Sequence, residues 1–318
     1  MHPSPIPTSR SPSPRAPGLD LLRAIAIGVV MLYHLSSHGI DVTGPGQHGW
    51  MGVDLFFVLS GYLIGWPVLR DLAAGRMPDW TGFVVGRAWR ILPAYLAVLA
   101  LYLALPAWRE ADAMPPVWQF LTFTMNVLPE HLTQRAYSHA WSLCVEEHFY
   151  LLFPLAAWRL ARRGRMPGVL ATGAGAALLF GASMLLRDWE WRHAIAQHLA
   201  SGDAARAVAG YVGTIYSPTW TRLDGLLAGI LLAALRAFRP AWWTRVLSHG
   251  WLLLGAGLAL LVAATRVDPL GHGGAVFLFP LVALGCACLL LGVLSPRTPG
   301  GGRCRACGRL PCSRSACT

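Results

Sequence analysis

The chain has 318 residues, 55% hydrophobic and 13% charged, with a formal net charge of +11, and all 26 of its lysine-or-arginine positions are arginine. Soluble domains carry about 25% charged residues, so an ordinary water-soluble globule is excluded and a polytopic, all-α membrane bundle is implied. In a soluble chain that charge would suit nucleic acid; here the arginines lie between apolar runs, where the positive bias of cytoplasmic loops explains them, and no nucleic-acid partner is expected.

Residues 1–18, MHPSPIPTSRSPSPRAPG, hold six prolines and no apolar core, so they read as a disordered cytoplasmic tail and not as a cleavable signal peptide. A membrane domain follows over 19–294, with about eight spans at 19–39, 50–69, 91–107, 140–160, 167–186, 211–236, 247–264 and 274–294. Arginines cluster at 70–90, 159–165 and 236–245. Placing these loops and the N-terminus in the cytoplasm orients every span consistently and puts 108–139, 187–210 and 265–273 outside. VWQFLTFTMNVL, 117–128, is too short to cross and reads as a re-entrant or interfacial helix. Residues 295–318 form an Arg-, Gly- and Cys-rich tail in which Cys304 and Cys307 make one close-spaced couple, with Cys312 and Cys317 beyond. Structural zinc sites pair two such couples, so a truncated or frameshifted end is the preferred reading. Cys144, Cys286 and Cys288 lie in apolar spans as packing residues.

Ionisable residues inside the spans are functional candidates by default. In RAIAIGVVMLYH, Arg23 and His34 are eleven positions apart, which on a helix is about 16 Å along one face. Arg23 falls near the cytoplasmic mouth and His34 toward the outer side; a lipid-phosphate anchor and a helix–helix hydrogen bond are the plainer readings. His38, one turn on, offers a weak HxxxH metal alternative. Asp54 opens the second span, where it either answers the helix dipole or pairs with His34 or Arg23. Arg87 and Arg90 are neighbours on one helical face, suited to phosphate or simply to topology. In SHAWSLCVEEHFYLLFP, His139, Ser142 and Glu146 form one helical stripe, and Glu147 and Tyr150 lie close by. Two carboxylates in that company predict a polar pocket opening outward. Arg222 and Asp224, two apart, do not face each other and each must pair elsewhere.

LDLLRAIAIGVVMLYH, GVDLFFVLSGYLI, RAWRILPAY, HAWSLCVEEHFYLLFP and TRLDGLLAG together resemble, in order, the landmarks of the acyltransferase 3 family of integral-membrane acyltransferases. The resemblance covers about residues 17–294 and implies about ten spans in the complete fold. It also implies transfer of an acyl group, commonly acetyl, from cytoplasmic acyl-CoA to hydroxyls of surface polysaccharides, peptidoglycan, lipids or antibiotics, in a bacterial plasma membrane. The family's later Gly-x-x-Ser-Tyr-x-x-Tyr-Leu-type stretch and further spans are not found after Leu294. Within that frame His34 is the expected general base, and Glu146 orients and stabilises the imidazolium. Arg87, Arg90 and Arg23 hold CoA phosphates, while Asp54, Ser142, Glu147 and Tyr150 line the substrate site. No metal or bound cofactor is required. A proton-coupled transporter, built from the same intramembrane groups, and an inactive truncated enzyme are the alternatives.

Overall fold

The computed structural model describes residues 17–37, 40, 44–127, 136–164 and 168–299. His38, the four C-terminal cysteines and most of both expected tails lie outside the described residues. Among the described residues no strand forms. In chain order the α-helices are α1 (Pro17–Ser37), α2 (Met51–Ala73), α3 (Trp80–Ala104), α4 (Val117–Leu121), α5 (Trp141–Arg162) and α6 (Val169–Glu190). They continue with α7 (Ala196–Ala200), α8 (Ala204–Gly210), α9 (Asp224–Phe238), α10 (Pro240–Leu247), α11 (Gly250–Ala264) and α12 (His272–Leu294). Local chemistry sets the starts: Asp79 accepts from the Gly82 N–H at 2.9 Å ahead of α3, and Asp203 accepts from the Arg206 N–H at 3.0 Å ahead of α8.

Helical structure occupies all eight expected stretches, but not always as one span. Five helices are long and apolar enough to cross a membrane, and a sixth is added if α9 and α10, bent by 116°, count as one. α5 is long enough at 22 residues, but Glu146, Glu147, Arg159 and Arg162 dilute its apolar character. The stretch 211–236 is broken: a π-helical turn, Tyr211–Tyr216, stops at Ser217-Pro218, and α9 begins only at Asp224. α6 runs on through a π-turn, Trp191–Ile195, into α7, a 32-residue rod, so much of the expected outer loop 187–210 is helical. The 117–128 segment keeps only α4 as helix and then turns, with Phe123 at a positive φ of 55°.

The centre of the bundle is α2 packed in parallel against α9, with α12 beside both. α2 is apolar all round and buries fourteen residues, as a helix inside a bundle should. α3 buries only Tyr95 and Leu99, and α6 only Ala176, Ser183 and Arg187, so both are peripheral. The α2–α9 approach needs glycine: a Cβ on Gly61 would collide with the Leu226 carbonyl, and one on Gly229 with the Val58 carbonyl. Gly229→Ala is therefore expected to cost about 1–3 kcal/mol, read as a lower thermal midpoint in detergent. Gly173→Ala, which meets only open space on α6, serves as control. Equal midpoints for the two variants would contradict this tight contact.

Candidate active site

A cavity of about 490 Å³ opens between the end of α1 and the starts of α2 and α5. His34 projects into it from the last turn of α1, and Tyr33, His139, Ser142, Glu146 and Tyr216 share its wall. His139, Ser142 and Glu146 thus lie along one wall, as their spacing predicts. Of the α5 residues on that wall, Glu146 lies furthest along the helix and forms the floor.

Glu146 is held from three sides. Ser60 of α2 donates to its Oε1 at 2.7 Å, the Tyr150 hydroxyl donates to its Oε2 at 2.6 Å, and Arg87 of α3 approaches to 3.6 Å. Tyr150 also lies 2.9 Å from the Ser60 hydroxyl, and the Arg87 guanidinium sits 3.5 Å from the centre of its ring. Three helices therefore converge on one carboxylate. Ser60 was the member least visible in the sequence, since Ser-Gly in an apolar helix reads as packing.

The two adjacent glutamates part company, because successive helical residues point about 100° apart. Glu147 faces a separate cavity of about 210 Å³ between α3 and α5, shared with Arg87, His148 and Tyr150. Glu147 Oε1 and Arg87 Nε are buried there without a hydrogen-bond partner among the described residues. His148 points toward the 217–221 segment, its Nδ1 lying 2.8 Å from Thr219 Oγ1.

The arginine expectations are redistributed. Arg87 lies 3.6 Å from Glu146, while Arg90 is exposed. Arg23 is partly exposed and bound to Asp20 at 2.6 Å. Asp54 sits in the first turn of α2, as expected, but makes no capping hydrogen bond and reaches neither Arg23 nor the cavity wall. It is buried against Arg222 at 2.9 Å, while Arg187 grips Asp224 at 2.5 and 3.1 Å. All four charges are within 1% of complete burial, and both guanidiniums lie against Phe279, at 3.7 Å for Arg222 and 5.7 Å for Arg187. Arg222 and Asp224 thus each pair elsewhere, as their spacing requires. Arg187 was not singled out, because it sits in a stretch that reads as an outer loop.

Beside the mouth of the main cavity, the His34 and His139 rings meet edge to face with centroids 5.9 Å apart. His139 Nδ1 lies 3.9 Å from Glu110, whose Oε1 accepts the Tyr137 N–H at 2.8 Å. Burial opposes ionisation of Glu110, but hydrogen bonds from its own backbone, from Tyr137 and from the Tyr102 hydroxyl, together with His139, outweigh it and hold the carboxyl below the usual range.

A family model described as an acyltransferase domain matches residues 17–310. The O-acetyltransferase OatA of Staphylococcus aureus strains NCTC 8325 / PS 47, COL and MRSA252 is in each case 31% identical over 235 residues, covering 70% of this chain and 35% of the relative. The chain spans about a third of the length of these curated relatives. No solved structure matches it. The family match takes in α1, α2, α3, α5, α6 and α9 and the segment leading into α9, which build the polar cavity, the Glu146 cluster and the buried ion pairs, and the chain belongs to the acyltransferase 3 family.

Proposed function

We propose that this chain is a membrane O-acyltransferase moving an acyl group, acetyl in the simplest case, from cytoplasmic acyl-CoA to a hydroxyl of a surface polysaccharide, a lipid or another glycosylated acceptor. The observation that carries this reading is a single cavity with a histidine at its mouth and a fixed carboxylate on its floor. Similarity to relatives named O-acetyltransferase supports acetyl and a hydroxyl acceptor. In the reaction His34 takes the hydroxyl proton as the oxygen attacks the thioester carbonyl; the C–O bond forms, the C–S bond breaks, and the thiolate leaves to be protonated as CoA-SH. Glu146 supplies the negative charge that favours the imidazolium, and Ser142 and Tyr216 offer hydroxyls to the acceptor.

Arg87 is engaged at Glu146, so the donor phosphates fall to the cytoplasmic arginines, Arg90 and Arg23 among them. The loops after α2, α5 and α9 carry the arginine clusters, which supports a cytoplasmic side for these loops and the N-terminus in a bacterial plasma membrane. The test is thiol release from labelled acetyl-CoA by membranes containing the full chain, with and without cell-envelope acceptor. Acceptor-dependent release, with label appearing in the envelope fraction, is expected. No release, alongside proton-driven solute uptake, would replace the enzyme with a carrier.

A further inference from the structure

Outside the Glu146 cluster, a second set of titratable groups converges on His34. His139 comes from the single 3-10 turn that leads into α5, and Glu110 from the segment after α3, so two separate parts of the chain bring a carboxylate and an imidazole to the mouth of the cavity. Tyr137 flanks the His139 ring at 5.1 Å, and its N–H fixes Glu110, so the pair is braced by one residue.

We propose that His139 and Glu110 are positioning residues that keep the positive charge of this site on His139 and thereby hold His34 in its neutral, proton-accepting form. Two imidazoles 5.9 Å apart repel when both are charged, and the carboxylate beside His139 decides which one takes the proton. Among the described residues, the other ionisable groups lining the cavity with His34 are Tyr33 from its own helix, Tyr216 from the 211–216 turn and Glu146 from α5; Trp50 and, from α2, Val53, Phe56 and Phe57 line it without charge. Glu146 favours the imidazolium that forms as His34 takes the proton, and Arg87, 3.6 Å from Glu146, lessens that pull on His34 before the proton arrives. Tyr102 and Tyr137 pack on His139 without carrying charge near neutral pH.

This inference rests on His34 being the base, and the two ideas fail differently. Removing a neighbouring cation makes charged His34 less unfavourable, so its pKa rises and the base form is lost at higher pH. His139→Gln and Glu110→Gln in the full chain are expected to move the acid limb of the transfer rate upward by about 0.5–2 pH units, the Coulomb range for unit charges about 6 Å apart. His139→Lys, which restores a cation beside Glu110, is expected to keep the limb near that of the parent. A purely structural role would lower the rate at every pH and leave the limb in place, which overturns the proposal. Histidine-selective NMR titration of His34 in parent and His139→Gln reads the same shift without turnover. Identical His34 titrations overturn the proposal even where the chain transfers nothing, whereas transfer that survives His34→Ala overturns the base assignment itself.

Discussion

His34→Ala is expected to lower acetyl transfer by about 10²–10⁴-fold, the span that a positioned general base contributes, while the amount of chain in the membrane stays unchanged. The size follows from placement. His34 stands in the last turn of α1, at the mouth of the cavity, where its ring touches those of Tyr33 and His139. It is exposed to the cavity, so truncation removes little packing and the loss falls on chemistry. The measurement is the initial rate of labelled acetyl transfer, normalised to chain content. A rate within a few-fold of the parent would remove His34 as the base. Glu146→Gln is the informative companion: it keeps the shape of the floor, can accept from one hydroxyl while its NH2 donates to the other, and removes the charge facing His34 and Arg87. If the two residues act as a unit, the double variant loses no more than His34→Ala alone.

What the sequence disclosed and what it hid divide along sequence distance. Apolar length and arginine clusters are local signals, so the helices at 17–37, 51–73 and 272–294 were legible within a few residues. The stripe of His139, Ser142 and Glu146 was legible for the same reason, since helical periodicity fixes a face without reference to anything else. The break in 211–236 was written in Ser217-Pro218 but overridden by the apolar run around it. Pairings between helices were beyond reach. Arg87 was read only with its neighbour Arg90 because Glu146 and Tyr150, which it meets in the fold, are about sixty residues away. Glu147 looked like a companion of Glu146 because adjacency in sequence hides a 100° turn. Asp54 had two nearby candidates in the first span, and the structure gives it Arg222, 168 positions on.

That last pair carries the largest expected effect on stability. Arg222→Met alone leaves Asp54 as a buried, uncompensated carboxylate, and such losses cost about 3–5 kcal/mol. Asp54→Leu alone strands the guanidinium, which already lacks hydrogen-bond partners at Nε and Nη1 among the described residues and leans on the Phe279 ring at 3.7 Å. The double variant Asp54→Leu/Arg222→Met removes both charges, keeps apolar bulk against Phe279, and is expected to recover most of the thermal midpoint lost by either single change. The consequences extend to the site, because Arg222 also lies 4.8 Å from the ring of Tyr216 and 5.2 Å from that of Trp141, both on the wall of the His34 cavity. The double variant should therefore fold yet transfer acetyl more slowly, with a raised KM for the acceptor, since a thioether cannot fix those two rings as a guanidinium does. Midpoints measured in detergent for the parent, both singles and the double decide the matter: singles as stable as the parent would show that the buried pair is not what joins α2 to the start of α9.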